Sequence, residues 1–117
     1  MKNLVSVSLA FVLTSSALFA ALNSKPVLGP IAGPVNLIRG VEYEWTGSWT
    51  DDAGDTHKVQ WNFGDKPVFV QPPFVVATSP TSKKHIYTNV GTYTIRFTVR
   101  DQSGGAAFAT RTVVVTN

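Results

Sequence analysis

The chain is predicted to be an all-β sandwich, and three features of its 117 residues say so. Apolar side chains recur at every second position in several short runs, turn residues separate those runs, and no segment shows the period of an amphipathic helix. Strands without helices each have a face to bury, and the compact solution is two antiparallel sheets packed against each other. About seven strands are expected, and no disulfide, because the sequence contains no cysteine.

The first twenty residues stand apart. "MKNLVSVSLAFVLTSSALFA" has one Lys, an apolar stretch from Leu4 to Leu13 and then small residues. This is the layout of a secretory signal peptide, since the apolar run is too short to cross a bilayer. Ser15 and Ala17 fit the small-x-small cleavage preference best, and cleavage after Ala20 is the alternative. The mature chain is then secreted or held at the cell surface, with no membrane span after cleavage. Residues 21–34 read as a linker, because "LNSKPVLGPIAGP" alternates Pro and Gly with isolated apolar residues.

The sandwich domain is assigned to residues 35–117. A first edge strand is expected near Val35 to Ile38. "VEYEWTGSW" follows, with Tyr43, Trp45 and Trp49 on one parity and Glu42, Glu44, Thr46 and Ser48 on the other. "TDDAGDTH" is a polar turn. In "VQWNFGD", Val59, Trp61 and Phe63 alternate with Gln60 and Asn62 until Gly64 and Asp65 end the strand. "TYTIRFTVRD" alternates Tyr93, Ile95, Phe97 and Val99 against Thr94, Arg96, Thr98 and Arg100, and "DQSGG" turns the chain into a last strand ending at "TVVVTN".

Composition narrows the function. Seven Phe and three Trp in a chain that is 44% hydrophobic supply a core without disulfides. Removing Lys2 with the leader leaves nine basic residues against seven acidic ones, with only Lys83 and Lys84 adjacent. That is no nucleic-acid footprint, which needs clustered cations.

The spacing Gly91-x-Tyr93-x-Ile95 matches the tyrosine corner of immunoglobulin-like sandwiches, in which a Tyr hydroxyl bonds back to upstream backbone. Ile95 stands where an antibody domain has cysteine, and Trp61 stands where its core tryptophan lies. "WNFGD", "HIY" (His85 to Tyr87), "GTYTIRFTVRD" and "SGG" together resemble the polycystic kidney disease (PKD) domain over about residues 28 to 117. The resemblance implies an immunoglobulin-like fold and a non-catalytic extracellular module, either a spacer or a unit for adhesion, protein binding or carbohydrate binding. It departs from the family in Lys66, where a second Gly is usual, and in the 19 residues between Asp65 and His85.

The candidate site residues divide into two groups. Trp61, Asn62, Phe63, Gly64, Asp65, His85, Tyr87, Gly91 and Tyr93 form a structural motif. Trp61 and Phe63 are core, Asn62 ties adjacent backbone, Gly64 frees the turn, Asp65 accepts turn amides, and His85 bonds a buried backbone group. Phe69, Val70, Pro72, Pro73, Phe74 and Val75 are the candidate interaction surface. They lie in "KPVFVQPPFVVATSPTSKK", which reads as a hairpin with Pro72 and Pro73 at its tip, either packed on a sheet or left as an adhesive patch for a protein partner. A carbohydrate ligand would need exposed coplanar aromatics, for which Trp45 and Trp49 are the candidates. No cofactor is expected. Asp51, Asp52 and Asp55 lack the order and the distal Glu of a calcium loop, so no metal is expected, and two His without a nucleophile motif give no catalytic residues.

Overall fold

A computed structural model describes residues 25–52 and 54–117, so the expected signal peptide and residues 21–24 lie outside the described residues. Nine strand segments follow one another: β1 (Val27–Leu28), β2 (Asn36–Ile38), β3 (Glu42–Gly47), β4 (Trp49–Thr50), β5 (His57–Asn62), β6 (Val75–Ala77), β7 (Thr81–Ile86), β8 (Gly91–Asp101) and β9 (Ala106–Thr116). One sheet has the order β2-β9-β8-β5-β6, with β2 parallel to β9 and the other pairs antiparallel. The facing layer pairs β3 with β7 and β1 with β4, and Ala32 bridges Thr46 between them. Only Ser48 separates β3 from β4, and β1 and β2 are the two ends of one segment that crosses between layers. Counted that way, the sandwich has the seven strands expected.

Period-2 alternation places the core. Val59 and Trp61 on β5 face Val99 and Phe97 on β8 in register, and the Trp61 and Phe97 rings lie 4.3 Å apart. The facing layer contributes Trp45, Trp49 and Tyr87, with Trp45 packed on Phe63 at 5.5 Å and Trp49 on Phe97 at 6.0 Å. Gly47 is what permits the approach of the layers at their centre, because a methyl group there would overlap the Phe97 ring. At the end of β8, Asp101 turns inward. Its Oδ1 accepts the Ser103 and Gly105 amides at 2.9 and 2.7 Å and closes the turn into β9.

The segment expected as linker belongs to the sandwich from at least Val27 onward. Ile31 is buried in the core, Pro34 C=O accepts the Trp45 indole N–H at 2.9 Å, and β1 pairs with β4. Its Pro and Gly residues let an irregular chain cross between layers while isolated apolar residues pack.

The expected hairpin within Lys66 to Lys84 does not form. Residues 67–70 make a tight turn closed by Val70 N–H to Pro67 C=O at 2.9 Å, and the chain then runs extended through Pro72 and Pro73 into β6. β6 pairs with β5 instead, Val75 against Val59 and Ala77 against His57. Two prolines without amide protons cannot complete the ladder of a local hairpin, whereas β5 has a free edge for Val75–Ala77, which begins one residue beyond them.

Candidate interaction surface

The turn after β5 is built from its own polar side chains. Asn62 Oδ1 accepts the Gly64 amide at 2.9 Å. Gly64 has φ +79, and a Cβ on it would meet Thr94 O at 2.6 Å, so both conformation and space require glycine. Asp65 does not receive turn amides. Its Oδ2 lies 2.7 Å from His85 Nε2, and His85 bonds this carboxylate rather than backbone. The amide role falls to Asn62 because its side chain reaches the backbone two residues on, leaving Asp65 to cross to β7.

Behind this pair the aromatics interlock. The His85 ring stacks on Phe63 with centroids 4.1 Å apart, and Tyr87 meets His85 edge-on at 4.7 Å. The Tyr87 hydroxyl donates to Phe63 C=O at 2.7 Å. Burial pushes the Tyr87 phenol far above its ordinary range, and the Asp65 carboxylate and Tyr93 add to the shift. Tyr93 in turn donates to Asn89 C=O at 3.0 Å, the bond of a tyrosine corner, with Gly91 opening β8 beside its ring.

The long loop divides the exposed side of this region. Gln60 Nε2 donates to Pro72 C=O at 2.7 Å and holds the loop against β5, while the Arg100 guanidinium lies 4.1 Å over the Phe74 ring. Pro72 and Phe74 are thereby half-buried, whereas Val70, Pro73 and Val75 are exposed and Phe69 is 83% exposed. Val68 and Val76 extend the same apolar run at 87% and 74%. Trp45 and Trp49 are core residues at 0% and 7%, so they provide no aromatic strip for a sugar.

Neither histidine faces a nucleophile. His57 Nε2 lies 2.9 Å from Asp51 Oδ2, and among the described residues neither imidazole hydrogen-bonds a hydroxyl. The Asp51, Asp52 and Asp55 side-chain oxygens lie within 4.8 Å of one another. Asp51 is engaged by His57 and by the Asp52 amide, and Asp55 accepts the Gln102 amide.

What sequence reasoning missed here is the outward face of the larger sheet. Register sets Lys58 directly opposite Arg100 and Asn62 opposite Arg96. The signal was available in the alternation that put Arg96 and Arg100 on the outer parity of their strand, but the pairing of β5 with β8 was needed to join Lys58 to them.

The family profile of the PKD domain matches residues 23–116. Among solved structures, the PKD domain of an M14-like peptidase from Thermoplasmatales archaeon SCGC AB-540-F20 is similar at 22% identity and a TM-score of 0.63, over 80% of this chain and 94% of that one. The PKD1 domain of Vibrio anguillarum Epp gives 24% and 0.56, over 80% and 95%. The PKD1 domain of the Vibrio cholerae metalloprotease PrtV gives 20% and 0.57, over 80% and 100%. At these identities the likeness speaks for the fold. None of the curated proteins compared with the chain matches it.

Proposed function

Because the chain belongs to the PKD-domain family, we propose that it works without catalysis, as an exported module that contacts a protein partner in the extracellular space or at the cell surface. The observation that carries this reading is the exposure of Val68, Phe69 and Val70 in the loop after β5 and of Val75 and Val76 on the edge strand that follows it. Exposed apolar residues gathered in one segment mark an interaction site more often than scattered ones do. Two of the similar structures are named as parts of peptidases, which supports a module that accompanies another activity. The leader-like "MKNLVSVSLAFVLTSSALFA" supports export.

The test is a double variant, Phe69→Ser with Val76→Ser. Both side chains are largely exposed, so thermal unfolding should move little. Retention of partner from the culture fluid should be lost. Equal retention by the variant and the parent, at unchanged melting temperature, would exclude this loop as the contact.

A further inference from the structure

The outward face of β5 and β8 carries Lys58, Arg96 and Arg100, all exposed, with Lys58 and Arg100 directly opposite each other on neighbouring strands. Like charges in that position destabilise a sheet, and a carboxylate nearby would relieve them. None does. Among the described residues the only ion pairs join His57 to Asp51 and His85 to Asp65. Glu42 and Glu44 lie on β3 in the facing layer, and Asp101 is turned inward to its own turn amides.

The two guanidiniums are also held in place. Arg96 lies 3.8 Å over the Phe108 ring and Arg100 lies 4.1 Å over the Phe74 ring. A stacked guanidinium keeps its planar fork of N–H donors free at the edges while losing little further freedom on binding. Between the two runs a hollow of about 500 Å³, whose polar lining is Gln60, Asn62, Gln71 and Thr98 and whose apolar lining is Val68 and Phe74 of the loop. Gln60 and Gln71 each donate one amide N–H, to the Pro72 and Val68 carbonyls respectively, and keep the other. Asn62 uses its oxygen on Gly64, which leaves its NH₂ group for a ligand.

We propose that this groove binds an acidic polysaccharide, a hydroxyl-rich chain bearing carboxylates at intervals. Charge complementarity calls for a polyanion, and the amides and hydroxyl between the cations match a partner whose charges are separated by hydroxyl groups. A single-stranded nucleic acid needs open ring faces for stacking, and both aromatic faces here are capped by arginine. The proposal rests on the reading of the chain as a non-catalytic binding module; its groove adjoins the apolar loop and shares Val68 with it, while Phe69 and Val76 lie outside its lining.

The experiment measures retention of the purified chain on immobilised polygalacturonate, with dextran, polyglutamate and an oligonucleotide of mixed sequence as comparisons. The parent should bind polygalacturonate in a salt-sensitive manner and ignore dextran. Arg96→Gln with Arg100→Gln should weaken binding by about tenfold or more, since two phosphate-like anion contacts are lost. Lys83→Gln with Lys84→Gln removes the same net charge on the facing layer and should leave binding unchanged. Thermal unfolding of each variant checks the fold, and Lys58→Ala gives a second, milder reading of the same face.

Absence of binding to polygalacturonate overturns the proposal, as does an equal loss in the two charge variants or stronger binding to polyglutamate or the oligonucleotide. The Phe69→Ser, Val76→Ser variant separates the two surfaces. Polygalacturonate binding retained by that variant supports the groove, whether or not the protein contact is lost, and its loss there would overturn the groove as an independent site.

Discussion

Truncating Trp61 to alanine tests whether the aromatic run after Val59 is architecture. Trp61 is only 7% exposed, packs on Phe97 at 4.3 Å and lies parallel to Phe63 at 6.0 Å. A tryptophan at this depth hides roughly 190 Å² of mostly apolar surface, which at about 25 cal/mol per Å² is worth ~4–5 kcal/mol. The alanine left behind recovers a small part of that, and the ring contacts add about 0.5–1.5 kcal/mol, so a loss of about 4 kcal/mol is expected. Small domains have roughly 5–15 kcal/mol in total, and each kcal/mol moves Tm by about 4–8 °C at this size. Trp61→Ala should therefore lower Tm by more than about 15 °C or abolish the native near-ultraviolet circular dichroism. A Tm within about 5 °C of the parent, combined with loss of partner binding, would refute the reasoning and make Trp61 a contact residue.

Other perturbations follow from the same packing. Gly47→Ala should destabilise by about 1–3 kcal/mol in urea titration, because the added methyl meets the Phe97 ring in a layer that has no slack. The Tyr87 phenol has a raised folded-state pKa, so its contribution to stability is fully present below the ordinary tyrosine value of about 10 and is lost as pH rises beyond it. Unfolding free energy should fall above that pH in the parent, and Tyr87→Phe should be less stable at neutral pH but show a smaller alkaline decline. Calcium added to chelator-treated protein should leave Tm unchanged, since Asp51 is already engaged by His57, and a rise of several degrees would instead reveal a linked cation site.

The fold was legible wherever burial follows a local period. The alternations through Trp61 and through Phe97 placed two central strands and their inward faces, and the Gly91 to Ile95 spacing marked the corner at which Tyr93 bonds Asn89. Legibility failed where partners lie far apart in sequence. Nothing local in "PPFVVA" says that Val75 will pair with Val59 rather than with its own neighbours, and Ile31 among prolines gives no period to read. The same holds for the site. His85 finds Asp65 across two strands, and the basic face exists only once register sets Lys58 against Arg100.

The parallel pairing of β2 with β9 has a consequence for the time course of folding. Within this sandwich Asn36 to Ile38 are synthesised well before their partners Val114 to Thr116. β9 lies between β2 and β8, so the larger sheet cannot be completed on a ribosome or during passage through a narrow channel until residues 114–116 have emerged. Until then Leu37, buried in the finished sandwich, has no β9 to pack beside, and the nascent chain carries an unpaired apolar strand. Closing so long a loop is slow on the scale of small domains, of order milliseconds to seconds, and the interval before closure is when the chain is most open to self-association.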